Sequence, residues 1–233
     1  MLNIYNDDKK IDDKQVLYDS YNFFMMSDDR KLFFKLYWRI KFFEMVKHLH
    51  GDIVECGVFK GSGLLLWLKL LDYKQSNSLK KVIGFDFFGQ DFVKTLKDDI
   101  DKEMMGQVFS RDSELKNDDI SIKGIKNKIK QAGFSDDRYQ LVQGDISKTS
   151  FQFLENRPGF RISLLYLDLD LEKPTYDTLT ALWDRVVPGG VVVFDEYAYH
   201  SWSEANAVDK FIDEKGLCLE NTDIETPTAF IIK

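Results

Sequence analysis

Cysteine, histidine and proline are scarce in this chain of 233 residues, at two, three and four copies. The two cysteines, Cys56 and Cys218, stand far apart in apolar, strand-like surroundings, so neither a disulfide framework nor a zinc site is expected. Both read as small core residues. Apolar residues never run unbroken for the ~18 positions of a membrane span, and the opening Met1 to Lys10 lacks the apolar centre of a secretion signal. A soluble, cytoplasmic protein is expected. A basic excess is also missing: 32 Lys and Arg against 39 Asp and Glu leave a net charge of −7, with the acids scattered. Nucleic acid, whose phosphates call for a basic face, is therefore not an expected partner. What the chain has in quantity is apolar and aromatic residues, 44% and 14% with 19 Phe, enough for a sizeable core. Length and composition fit one α/β domain over residues 1–233.

Hydrophobic periodicity changes near Gly51. Residues 14–50 carry Phe33, Leu36, Tyr37, Ile40, Phe43 and Val46 at helical spacing with charges between them, which predicts one or two amphipathic helices covering the rest. From Gly51 onward short strands and helices alternate. Strands are predicted at Ile53 to Cys56, Lys81 to Phe85 and Tyr139 to Val142, then ending at Asp168 and at Asp195, with two short ones near Leu217 to Glu220 and Ala229 to Ile232. Helices are predicted at Gly63 to Leu71, Ser150 to Asn156, Tyr176 to Val186 and Ala205 to Lys215, and a charged, helix-prone insertion at about 91–137. Val187-Pro188-Gly189-Gly190 reads as a tight turn that closes a helix and opens a strand. This alternation predicts a doubly wound, mostly parallel, Rossmann-like sheet of seven strands with an N-terminal helical extension. The roughly eight residues from Asn221 to Thr228 are too few for a crossover helix, so the last strand should run antiparallel.

The candidate chemistry lies at strand ends. Leu164-Leu165-Tyr166-Leu167-Asp168-Leu169-Asp170 and Gly189-Gly190-Val191-Val192-Val193-Phe194-Asp195-Glu196 are apolar runs that stop in carboxylates. As buried neighbouring strands they would bring Asp168, Asp195 and Glu196 to the ligand-binding edge of the sheet, about 5 Å apart, where they can share one hard cation. The loop Glu55-Cys56-Gly57-Val58-Phe59-Lys60-Gly61-Ser62-Gly63 sits at the first strand-to-helix turn, with GxxxGxG spacing rather than the dinucleotide GxGxxG. An acid ahead of the first glycine repels a pyrophosphate and attracts a cation. S-adenosylmethionine, with an ammonium, a sulfonium and no phosphate, suits such a site. Asp86 can accept from ribose hydroxyls and Asp145 can meet an adenine amino group, although for each acid alone a helix N-cap or solvated strand end is an equal reading.

The segment Gly51-Asp52-Ile53-Val54-Glu55-Cys56-Gly57-Val58-Phe59-Lys60-Gly61, with Leu167-Asp168-Leu169-Asp170-Leu171, Pro188-Gly189-Gly190 and Phe194-Asp195-Glu196-Tyr197, resembles the macrocin O-methyltransferase family over roughly residues 20–215. Members are class I methyltransferases that use S-adenosylmethionine and magnesium to methylate sugar hydroxyls on macrolides. The resemblance implies that Glu55, Cys56, Gly57, Val58, Gly61 and Ser62 form the cofactor loop. It places Asp86 and Phe87 at the ribose, Asp145 and Ile146 near adenine, and Asp168 beside the donor. Asp168, Asp195 and Glu196 would hold Mg2+ or Mn2+, and residues 1–50 would also form a lid and a subunit interface in a homodimer or higher assembly. Family members commonly carry Asp-Asp where this chain has Asp195-Glu196, and no histidine occurs between Ile100 and Arg138 to match the base proposed in some of them.

A sugar hydroxyl is a poor nucleophile at neutral pH, and a bound metal would lower its pKa and orient it. For the proton acceptor the candidates are His200, in the loop after the second acidic strand, and Lys173. Three other readings stay open: a metal-independent methyltransferase for an amine or carboxylate, a nicotinamide-dependent oxidoreductase, and a non-catalytic cofactor-binding module.

Overall fold

A computed structural model describes residues 8–111 and 117–233. Two helices come first, α1 (Asp8–Met26) and α2 (Lys31–Val46), followed by β1 (Asp52–Cys56), α3 (Ser62–Gln75) and β2 (Val82–Asp86). The charged segment forms a 3-10 turn at Asp91–Thr95 and helices α4 (Asp99–Arg111), α5 (Asn117–Ile120) and α6 (Ile122–Gln131). Then come β3 (Tyr139–Gln143), α7 (Ile146–Leu154), β4 (Ile162–Leu167), α8 (Glu172–Leu182), β5 (Val186–Phe194), α9 (Glu204–Lys215), β6 (Glu220–Asn221) and β7 (Ala229–Ile232). No described helix is long and apolar enough to cross a membrane.

Among the described residues, seven strands form one sheet in the order β3-β2-β1-β4-β5-β7-β6. The first five are parallel and β7 runs antiparallel to β5 and β6, as the short final connection requires. Alternating side chains split the core into two layers. Val54, Leu165, Leu167, Val192 and Phe194 pack with Phe153, Leu179, Leu182 and Phe211 of α7, α8 and α9. Ile53, Leu164, Tyr166, Val191 and Val193 pack with Phe42, Trp67, Leu68 and Ile129 of α2, α3 and α6. A parallel sheet covered on both faces accounts for strands that read as continuous apolar runs.

Several boundaries differ from expectation for local reasons. Helix α7 starts at Ile146 because Asp145 caps it, accepting the Ser147 N–H at 3.1 Å. Helix α8 begins at Glu172, since Pro174 sits in its first turn, where no N–H is needed. The Val187-to-Gly190 segment is no terminal turn. It bulges within β5, where Ile162 faces Val186 and Leu164 faces Val191, and Gly189 at φ 79° donates to the Lys233 carbonyl at 2.6 Å. Of the two N-terminal helices, α2 covers the sheet, burying Arg39, Phe42, Phe43 and Val46. Helix α1 instead leaves Leu17, Tyr18, Tyr21 and Phe23 exposed.

At the edge of the sheet away from the acids, Lys80 Nζ donates to the Val46 carbonyl and to Ser163 Oγ, both at 3.2 Å. Burial pulls its pKa down to about 8, partly opposed by Asp52. Between that value and the ordinary lysine pKa of about 10.4 the unfolded chain holds the proton and the folded chain does not, so this group adds stability as pH rises through the window. Lys80→Met is expected to remove this component. Thermal unfolding followed by circular dichroism should show a smaller gain, or larger loss, in Tm from pH 8 to pH 10 than the parent shows.

Candidate active site

Register and side-chain alternation decide where the acids point. Leu167 of β4 lies beside Phe194 of β5, so the next residues, Asp168 and Asp195, leave the sheet side by side. Asp168 N–H donates to the Cys56 carbonyl at 2.8 Å and Asp195 N–H to the Leu167 carbonyl at 3.0 Å, fixing the three strand tips in one row. Asp168 and Asp195 share parity with Tyr166 and Val193, and Glu55 with Ile53, which turns all three acids toward the layer beneath α2. Cys56, of the opposite parity, is buried in the other layer, so only its backbone reaches the row.

Helix α2 answers with cations one turn apart. Lys35 Nζ lies 2.6 Å from Asp195 Oδ2 and 3.1 Å from Asp168 Oδ2. Arg39 Nη1 lies 2.8 Å from Glu55 Oε1, Nη2 lies 3.6 Å from Asp168 Oδ2, and its guanidinium stacks 4.2 Å from the Tyr166 ring centre. Lys31, one turn earlier, pairs with Glu225. Lys35 and Arg39 were not anticipated from sequence. The signal was the i, i+4 spacing of Lys31, Lys35 and Arg39 on one helical stripe, opposite acids of matching strand parity.

The glycine loop closes against the same row. Gly57 has φ +92°, and a Cβ there would come 1.8 Å from the Asp168 carbonyl oxygen, so only glycine lets β1 and β4 approach so closely. Asp86 accepts the Val58 and Phe59 N–H groups at 2.7 and 3.0 Å through Oδ2, and the Phe88 N–H at 2.6 Å through Oδ1. It thereby holds Phe59 and Phe88 at φ 46° and 55°, conformations that other side chains seldom adopt. Asp145 is the α7 cap and also pairs with Lys148 at 3.2 Å. Gly61 forms the turn into α3 at φ 87°.

A cleft of about 1280 Å³ runs along this edge. Glu55, Gly57, Val58, Ser62, Asp86, Phe87, Asp145, Ile146 and Asp168 line one end, as the sequence placed them, while Gly61, Cys56 and the fully buried Asp195 do not reach the wall. Glu55 Oε2 is buried at that wall without a hydrogen-bond partner, which fits an ammonium-bearing ligand. Phe92 and Phe109 meet edge to face at 5.9 Å, Phe87 stacks on Phe92 at 4.7 Å, and Phe59 of the glycine loop lies 6.2 Å from Phe109, so an aromatic cluster lines the cleft beside that loop. Lys173 is on the wall and pairs with Asp177; His200 is exposed and is not on the wall.

Carboxylates outnumber cations here. Burial raises Glu55 to about 7 against the pull of Arg39, and burial with Asp195 and Asp168 raises Glu196 to about 8. Burial and Asp168 push Asp170 well above the carboxylate range, and Glu204, wholly buried near Asp170, follows it. Burial also works against ionised Asp195, but Lys35 and Arg39 outweigh it and hold its pKa low. An all-oxygen donor set with excess negative charge, and a buried Glu196 Oε2 lacking a partner, fits a hard cation. Among the described residues, however, no three acidic, histidine or cysteine side chains are gathered closely enough to enclose an ion as they stand, and Lys35 bridges Asp168 and Asp195.

Residues 42–233 match the family model described as macrocin-O-methyltransferase (TylF). The chain belongs to this macrocin O-methyltransferase family. It is 26% identical over 155 residues to the 8-demethyl-8-(2,3-dimethoxy-alpha-L-rhamnosyl)-tetracenomycin-C 4'-O-methyltransferase of Streptomyces olivaceus, covering 66% of this chain and 56% of that protein. It is 27% identical over 177 residues to the mycinamicin III 3''-O-methyltransferase of Micromonospora griseorubida, covering 75% and 65%. The matches therefore span about half to two thirds of these relatives' lengths. Among solved structures, the calicheamicin-biosynthesis TDP-rhamnose 3'-O-methyltransferase CalS11 superposes with a TM-score of 0.63 at 20% identity, over 98% and 96% of the two chains. The O-methyltransferase NovP gives 0.68 at 23%, over 84% and 78%. At such identities the likeness is one of fold, the class I methyltransferase fold expected for the macrocin O-methyltransferase family.

Because Arg39 is buried against Glu55, removing one partner strands a charge. Arg39→Met is expected to cost about 3–5 kcal/mol in denaturant unfolding, and adding Glu55→Gln to recover a large part of it. A fully additive double variant would show that the two do not act as a pair.

Proposed function

We propose that this chain is an S-adenosylmethionine-dependent O-methyltransferase that acts on a hydroxyl of a sugar or glycosylated small molecule with the help of a divalent cation. The observation that carries this reading is the cleft, lined by the glycine loop, the strand-tip acids and an aromatic cluster beside that loop. At about 1280 Å³ it exceeds the ~300–1,000 Å³ of a single-ligand pocket, leaving room for donor and acceptor together. Family membership and the sugar O-methyltransferases among its relatives support the same reading.

S-adenosylmethionine supplies a methyl group on a cationic sulfur. Glu55 Oε2 would meet its ammonium, Asp86 and Phe87 would flank the ribose, and Asp145 and Ile146 would flank the adenine. Asp168, Asp195 and Glu196 are the residues that would hold Mg2+ or Mn2+, which supplies Lewis-acid polarisation of the acceptor hydroxyl. Asp170 and Lys173 both line the cleft wall, and Lys173, in its unprotonated form, is the candidate there to take the hydroxyl proton. The aromatic wall excludes water and holds the apolar part of the acceptor. Helices α1 and α2 form a lid, and the uncovered α1 face, with Phe23 76% and Leu17 71% exposed, packs against a second copy of the chain.

Calorimetry should show S-adenosylmethionine binding that NAD does not compete with. Radiolabelled methyl transfer to glycosylated acceptors should fall at least ~10-fold in EDTA and return with Mg2+, in keeping with metal activation of the nucleophile. Turnover that survives thorough chelation removes the metal from the reading; absence of cofactor binding removes the reading itself. In sedimentation velocity the protein should run as a dimer or larger, and Phe23→Asp should shift it toward monomer.

A further inference from the structure

We infer that Lys35 is a tethered counter-cation that holds the place between Asp168 and Asp195, and that a divalent ion enters there only as the Lys35 ammonium withdraws. The inference rests on the proposed reading of these carboxylates as a metal site, and it concerns what controls occupancy of that site.

The ammonium bridges the two Oδ2 atoms at 2.6 and 3.1 Å. Asp195 Oδ2 also accepts Thr226 Oγ1 at 2.7 Å, so its lone pairs are filled while Lys35 stays. Tyr166 hydroxyl takes Oδ1. A metal–oxygen bond of ~2.0–2.1 Å from these carboxylates would place an ion in the same small volume, beside a like charge. Both cannot reside there.

The two cations of α2 differ in how firmly they are held. Arg39 is locked between Glu55 and the Tyr166 and Trp67 rings, with a side chain 7% exposed. Lys35 has a side chain 24% exposed, lines the cleft, and hangs on a flexible four-carbon stem with no aromatic ring stacked on it among the described residues. Arg39 is thus the fixed charge and Lys35 the exchangeable one. Exchange releases the ammonium into the cleft beside Leu32 and Leu36 of the same helix, so ion entry and the position of the α2 side chains along the cleft are linked.

The test uses metal binding to the full chain without cofactor or acceptor, so its failure is separate from failure of the methyl-transfer reading. Mn2+ titrations followed by electron paramagnetic resonance should show Lys35→Met binding Mn2+ at least ~10-fold more tightly than the parent, since a competing unit charge is removed at contact distance. Lys35→Arg should stay within a few-fold of the parent. Asp168→Asn added to Lys35→Met should abolish the gain. Equal or weaker affinity in Lys35→Met, including no binding in either protein, overturns the inference. Should Lys35→Met not fold, the parent alone suffices: a proton–nitrogen correlation from the Lys35 ammonium, shielded by two carboxylates, should be visible without metal and vanish at saturating Mg2+. Its persistence under saturation equally overturns the proposal.

Discussion

The site depends on one electrostatic arrangement, the docking of a cationic helix stripe onto an acidic sheet edge. Ionised carboxylates cannot be buried alone without a heavy desolvation penalty. Glu55, Asp168 and Asp195 are nevertheless brought together at adjoining strand tips, and they persist there because α2 lays Lys35 and Arg39 across them. The apolar face of α2 supplies the anchoring: Phe42, Phe43 and Val46 are buried to within about 1% of complete exclusion. Packing of that face therefore fixes the register in which the charges meet.

Strain collects around the same edge. Non-glycine residues with positive φ follow four of the parallel strands: Phe59 after β1, Phe88 after β2, Asp170 after β4 and Ala198 after β5. Such conformations cost of order 1–3 kcal/mol each and persist where surroundings over-determine them. At Phe59 and Phe88 the surroundings are the Asp86 carboxylate, which takes both backbone N–H groups. Asp86 thus shapes the loop as well as facing the cleft. Three backbone N–H groups occupy three of the roughly four acceptor sites of that carboxylate.

Much of the architecture was legible because strand and helix periods are local. The apolar runs ending at Asp168 and Asp195, and the short connection before Ala229, were enough to anticipate parallel neighbours and an antiparallel last strand. One reading failed because tertiary pairing overrode a local signal. Pro188 and Gly189 look like a turn, yet the flanking residues pair with β4 and the pair bulges out of β5. His200, apt in chemistry, sits exposed in a loop and off the cleft wall.

Sequence by itself determined which elements exist, which strand ends carry acids, and the glycine at position 57, since these follow from residue spacing and backbone sterics over a few neighbours. Only the tertiary structure decided that Lys35 and Arg39 meet acids more than 130 and 15 residues away in the chain. It also decided that Glu204 is buried near Asp170 and that α1 is left uncovered. The physical reason is that Coulomb interaction and desolvation depend on through-space separation and burial, and neither is written in any local pattern.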